Sequence, residues 1–232
     1  MSKSTHIDKE NYTFGNRLGS GYSVKRERVI KRIGDNLITR GSSYGAEILC
    51  SSTMPIIDID YTVNCNGYSA IKRAKDMCSI LIADSLERDD RQINTNLYRT
   101  KNGLRLIISG QHEWDLDEAV LVMEDFDADP VYIMLCEQQG CYRARLTPKP
   151  SRVGIRSRYT FQVHKEHVSD DFLIGDDVAE KLLAEYYTVC KGSRTCLLIQ
   201  RMGGNRELDE FQRLLDIHDD KTGVFSHGLT LA

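Results

Sequence analysis

No stretch of this 232-residue sequence is apolar for long enough to cross a membrane. The opening residues, MSKSTHIDKENYTFGNRLGSGYSVKRERVIKR, lack the apolar core of a secretory signal. Neither charge dominates: 31 Lys and Arg stand against 34 Asp and Glu, a net charge of −3. Such a chain exerts no global pull on nucleic acid, so binding of that kind has to use a local basic patch. There is no internal repeat and no low-complexity linker. No G-x-S-x-G motif offers a nucleophile. The cysteines at 50, 65, 78, 136, 141, 190 and 196 are odd in number and scattered. Without a signal segment they read as reduced thiols of a cytoplasmic protein with no membrane contact. Cys136-x4-Cys141 and Cys190-x5-Cys196, with His164, His167 or His218, are a poor zinc set, because structural zinc pairs are usually about two to four residues apart.

What is present fits an ordinary globular protein, with 41% apolar and 28% charged residues. The length suits one compact domain or one domain with a small appendage. Residues 1–40 read as a polar arm or edge hairpin, 41–232 as a single domain, and 151–232 as its completing part. AEILC and PIIDIDYTV read as strands around a turn at SSTM. SAIKRAKDMCSILIADSLERDD repeats Ala70, Ala74, Met77, Cys78, Leu81 and Ile82 at helical spacing. In LYRTKNGLRLIIS, Asn102-Gly103 between two alternating runs signals a hairpin. DLDEAVLVMEDF is a helix with acids at its start. PVYIMLCEQQG is a second, with Pro130 first and Gly140 last. CYRARLT and RYTFQVH read as strands, DDVAEKLLAEYYTVC as a helix, TCLLIQRM as a strand and RELDEFQRLLDIHDD as a final helix. The expected class is α+β, a mixed or antiparallel central sheet flanked by helices.

One strand holds a contradiction. IIDID is short and apolar, yet carries Asp58 and Asp60, and burying unpaired carboxylates is costly. Alternation resolves it: Ile56, Asp58 and Asp60 share one face, while Ile57, Ile59 and Tyr61 share the other. A two-residue loop at Asn102-Gly103 pairs Thr100 with Arg105 and Tyr98 with Ile107, placing Tyr98, Thr100, Arg105 and Ile107 together. In CYRARLT, Arg143, Arg145 and Thr147 share a face, with Lys149 following. If these strands are neighbours in one sheet, two carboxylates meet up to three arginines. That face is then either a solvated surface with charges paired across strands, or a cleft for metal and phosphate. Carboxylates at i, i+2 suit Mg²⁺ or Mn²⁺, and arginines hold phosphate oxygens in bidentate fashion. Two further segments have plain explanations. RMGGNREL can cradle a phosphate but serves equally as a strand-to-helix turn, and DIHDDKTG reads as a solvated helix end.

The order of these pieces resembles the archaeo-eukaryotic primase, or primase-polymerase, superfamily over roughly Gly45 to Pro150. IIDID is similar to its Asp-x-Asp strand. YRTKNGLRLI is similar to its second motif, with Arg105 where the family usually has His. A third acid falls in MEDFDADP, at Asp125, Asp127 or Asp129, and YRARLTPKP is similar to the family's phosphate-contacting segment. The resemblance implies a primase-polymerase-like sheet and nucleotidyl transfer, or a degenerate form of it. Asp58 and Asp60 would be the catalytic metal ligands for Mg²⁺ or Mn²⁺. Thr100, Arg105, Arg143, Arg145 and Lys149 would bind phosphate, with nucleoside triphosphate and nucleic acid as partners. Two alternatives stand beside it: a non-catalytic module binding nucleic acid or protein, and a polymerase-β-type nucleotidyltransferase using Gly41-Ser42 with Asp58 and Asp60.

Overall fold

Two antiparallel sheets lie edge to edge, and side chains rather than a strand ladder join them. The computed structural model describes residues 11–13, 26–41, 45–61, 67–155 and 177–232. The first sheet runs β1 (Asn11–Thr13), β2 (Arg26–Ile33), β3 (Asn36–Gly41), β4 (Glu47–Ser51) and β8 (Tyr142–Arg145), in that order. The second runs β10 (Leu197–Met202), β6 (Ile93–Arg99), β7 (Gly103–Gly110) and β5 (Ile56–Asp60). Five α-helices fall among the described residues: α1 (Gly67–Asp89), α2 (Leu116–Asp125), α3 (Pro130–Gln139), α4 (Asp177–Cys190) and α5 (Asp209–Thr222). Two short strands, β9 (Ser193–Arg194) and β11 (Thr230–Leu231), pair in parallel. The protein is therefore mixed α+β with antiparallel main sheets. None of its described helices is long and apolar enough to cross a membrane.

Local chemistry sets the helix ends. The Asp115 side chain accepts from the Glu118 N–H at 2.8 Å and caps α2. Asp129 accepts from Val131 N–H at 3.0 Å, Pro130 opens α3, and Gly140 closes it in the left-handed conformation at φ 65°. The β2–β3 hairpin is part of the first sheet, and Ile33, Leu37 and Ile38 are buried.

β4 and β5 do not form a hairpin. The chain bends at 52–54 and β5 enters the other sheet, pairing with β7. β8 pairs with β4, so the Arg143/Arg145 strand and the Asp58/Asp60 strand are in different sheets. The two strands meet at the seam. The Tyr132 hydroxyl, from α3, accepts from the Arg143 N–H at 3.0 Å and donates to the Ile56 carbonyl, bridging β8 and β5.

The β6–β7 hairpin exists, but its turn lies one residue earlier than expected. Thr100 N–H donates to Gly103 O at 3.0 Å, leaving Lys101-Asn102 as the loop. Tyr98 then pairs with Arg105, and Asn96 with Ile107. Neither Asn102 nor Gly103 has positive φ. Gly103 serves another purpose: a Cβ there would lie 2.0 Å from the Ile59 carbonyl oxygen of β5. The glycine thus permits close strand approach rather than a left-handed turn. The two-residue slip between the expected and observed partners preserves the face of every side chain.

Both faces of the second sheet are covered. Thr95, Leu97, Leu104, Leu106 and Ile57 share the face toward α1, whose Ala74 and Cys78 are buried. The opposite face, with Asn96, Tyr98, Arg105 and Asp58, is covered by α5, whose Phe211, Leu214, Leu215 and His218 are buried. Gly103→Ala should cost about 1–3 kcal/mol, the range for forced overpacking, because rigid backbone is the obstacle. Urea denaturation tests this, and an unchanged midpoint would refute the close-approach account.

Candidate functional site

Arg105 is the centre of the expected site, and it is buried, with a side chain only 2% exposed. It faces Asp58 directly across β5–β7. Nε donates to Asp58 Oδ1 at 2.9 Å and Nη2 to Oδ2 at 3.4 Å, so both carboxylate oxygens are engaged. Nη1 donates to the Arg145 carbonyl at 3.0 Å, and the Cys196 sulfur and His218 Nε2 lie at 3.5 and 3.4 Å. Burial is the largest single influence and opposes the Arg105 charge, but the Asp58 carboxylate and its hydrogen bond, together with the other groups around the guanidinium, hold it above its ordinary range. Cys196 is a neutral thiol, pushed up to about 11 mainly by burial.

The polar chain continues through the core. His218 Nδ1 lies 2.9 Å from Asp219 Oδ1, and Asp219 Oδ2 accepts from Arg201 at 2.5 Å. Tyr98 packs edge-on to the imidazole, with ring centroids 4.8 Å apart. His218 and Asp219 are 0% and 3% exposed. The expected solvated helix end at DIHDDKTG is therefore wrong for these two residues: α5 turns them onto the sheet. Arg105 only donates and the Asp219 carboxylate only accepts, so these partners assign His218 as neutral, with its proton on Nδ1. Burial lowers its pKa; Asp219 raises it in part, while Arg105 lowers it further.

The other expected residues separate. Asp60 is at the exposed end of β5. Burial of its carboxyl, then Asp129 and Asp58, raise its pKa, while Lys149 and Arg152 pull it down. Asp129 also donates its N–H to the Asp58 carbonyl at 3.1 Å. Of the three candidate third acids, Asp129 is thus the one hydrogen-bonded to β5. Asp127 pairs with Arg73, and Asp125 is exposed. Thr100 closes the hairpin turn. Arg143 donates to Gln139 at 2.9 Å, toward the end of α3. Lys149 lies near Asp60, as does Arg152, a residue outside the expected set, and Arg145 lies near Arg152. Arg152 is on the 3-10 turn Pro150–Val153. Burial and then Arg145 lower its pKa against the pull of Asp60 and Asp58. With its amide oriented by its neighbours, Asn102 accepts from Arg152 at 3.3 Å. The arginine after Pro-Lys-Pro-Ser was the available signal for this residue.

Comparison with family models, curated proteins and solved structures finds no match in any of the three. The assignment therefore stands on geometry. Among the described residues, no three His, Cys, Asp or Glu side chains form a group that could hold a metal. A divalent ion fits poorly at Asp58, whose two oxygens face Arg105. Cys136 is buried on α3, while His164, His167, Ser42 and the RYTFQVH strand lie outside the described residues. At RMGGNREL the loop is filled by the protein itself: Asn94 Oδ1 accepts from the Asn205 N–H at 2.9 Å, as a strand-to-helix turn requires.

The asymmetry of the Asp58–Arg105 pair is measurable. Asp58→Asn strands a buried guanidinium and should cost about 3 kcal/mol. Arg105→Met leaves a carboxylate already 36% exposed and should cost less. The double variant should recover part of the Asp58→Asn loss. Equal single losses in urea melts would refute this ordering. His218 gives a second test. Because its folded pKa lies below the unfolded value of about 6.5, the unfolded chain binds the extra proton between those values. Stability should fall as pH drops below about 6.5, by up to about 1.4 kcal/mol per pH unit. His218→Gln should flatten that slope, and an unchanged slope would refute the neutral-histidine assignment.

Proposed function

We propose that this protein binds the phosphates of nucleotides or nucleic acid on a primase-polymerase-like sheet without carrying out transfer. The observation that carries this reading is the engagement of both Asp58 oxygens by buried Arg105. A metal-bridging carboxylate has to turn its oxygens to the ion, whereas Asp58 neutralises a core charge. Arg105, expected as a phosphate ligand, is a structural cation. The phosphate role passes to Lys149 and Arg152, which lie near Asp60 past the end of β8, and to Arg145, which lies near Arg152. Burial and then Arg145 disfavour the Arg152 charge, and a bound anion offsets both.

The test is fluorescence anisotropy with labelled single-stranded DNA in EDTA, alongside primer extension with Mn²⁺. Binding should persist without metal and weaken steeply with salt. Lys149→Ser with Arg152→Ser should weaken it at least tenfold, and no extension should occur. Nucleotide incorporation abolished by Asp58→Ala would overturn the reading.

One observation favours the metal-dependent alternative. Burial and then the charges of Asp129 and Asp58 raise the Asp60 pKa, and Mg²⁺ or Mn²⁺ at Asp60 would relieve that repulsion, although the three carboxylates do not converge as a metal-holding group. In that reading, binding requires the ion and is lost in EDTA.

A further inference from the structure

On the α1 side of β5 is a cleft of about 130 Å³. Its apolar wall comes from Ile59, Ala70, Ala74, Met77 and Phe126. Ala70 and Ala74, one turn apart on α1, leave the space that larger side chains would fill. Arg73 and Asp127 border the cleft and pair with one another, and both are more than half exposed. This rim presents a donor and an acceptor side by side. Asp60 and Tyr61 also border the cleft, and Asn102, whose carbonyl accepts from the Tyr61 N–H at 2.9 Å, accepts through its side chain from Arg152 of the basic cluster at 3.3 Å.

We infer that this cleft takes the single ring of a pyrimidine base, whose phosphates lie on the Lys149–Arg152 cluster. Three features select that occupant. A cavity of about 150 Å³ holds one benzene-sized ring, so the size fits a pyrimidine and leaves part of a purine outside. The walls are apolar, as ring faces require. The uracil edge carries a carbonyl acceptor next to an N–H donor and the cytosine edge a ring-nitrogen acceptor next to an amine, each complementary to the Arg73 guanidinium and the Asp127 carboxylate. Asp60 stands at the boundary, next to the ring cleft and within reach of the cations that would hold phosphate. The inference rests on the phosphate-binding reading for the second half of the ligand.

Isothermal titration of the full chain with tripolyphosphate, uridine and uridine triphosphate separates the two halves, with ring contact mapped by amide NMR shifts at Ile59, Ala70 and Phe126. Uridine triphosphate should bind at least tenfold tighter than tripolyphosphate and shift those amides. Ala70→Leu, which fills the cleft from its half-buried rim, should abolish that advantage and leave tripolyphosphate affinity unchanged. Arg152→Ser should weaken tripolyphosphate and leave the uridine-induced shifts in place. If uridine triphosphate binds no tighter than tripolyphosphate, the ring site is wrong and the phosphate reading stands. If uridine shifts the cleft amides but tripolyphosphate does not bind, the ring site stands and the phosphate reading fails. Guanosine triphosphate binding as tightly as uridine triphosphate overturns the single-ring selection. Shift mapping on the unaltered chain decides the matter even if Ala70→Leu does not fold.

Discussion

The structure is organised around one buried guanidinium. Removing Arg105 from water is expensive, and the cost is offset only because every direction it points supplies an acceptor: Asp58 on β5, the Arg145 carbonyl on β8, His218 on α5 and the Cys196 sulfur. Those four groups come from both sheets and from the C-terminal part of the chain. The position of α5 over the sheet, the neutral state of His218 and the orientation of Asp58 are consequences of satisfying that cation.

This explains why a face that looks open in sequence is closed in the fold. Alternation placed Asp58 and Arg105 on one face correctly, and the slip in the hairpin turn did not disturb that parity. Helix ends were legible because capping is local: Asp115, Asp129, Pro130 and Gly140 act within a turn of their own positions. Two things were not legible. Strand order across two sheets depends on contacts distant in sequence, so the separation of β5 from β8 left no local mark. The cover over the polar face depends on how α5 rotates. DIHDD has the composition of a solvated terminus, and only the presence of Arg105 beneath it makes His218 and Asp219 interior residues.

The segregation of roles along β5 follows from depth. Asp58 is within reach of the buried cation and is consumed by structure. Asp60, two residues on at the strand's exposed end, meets Asp129 and the cations Lys149 and Arg152 instead. One short strand thus passes from core support to surface chemistry over a single side-chain repeat. The sequence pattern Asp-x-Asp cannot distinguish the two, because the difference lies in what sits opposite each residue.

The seam held by Tyr132 has a consequence for solubility. β5 and β8 are each the last strand of a sheet, and last strands expose a row of carbonyl and amide groups that can recruit another chain. Here those rows are occupied from within. Tyr132 takes the Ile56 carbonyl and the Arg143 amide, the Asp129 amide takes the Asp58 carbonyl, and Arg105 takes the Arg145 carbonyl. Two edges that could have templated fibrils are blunted by three residues, so the join between the sheets also guards against self-association.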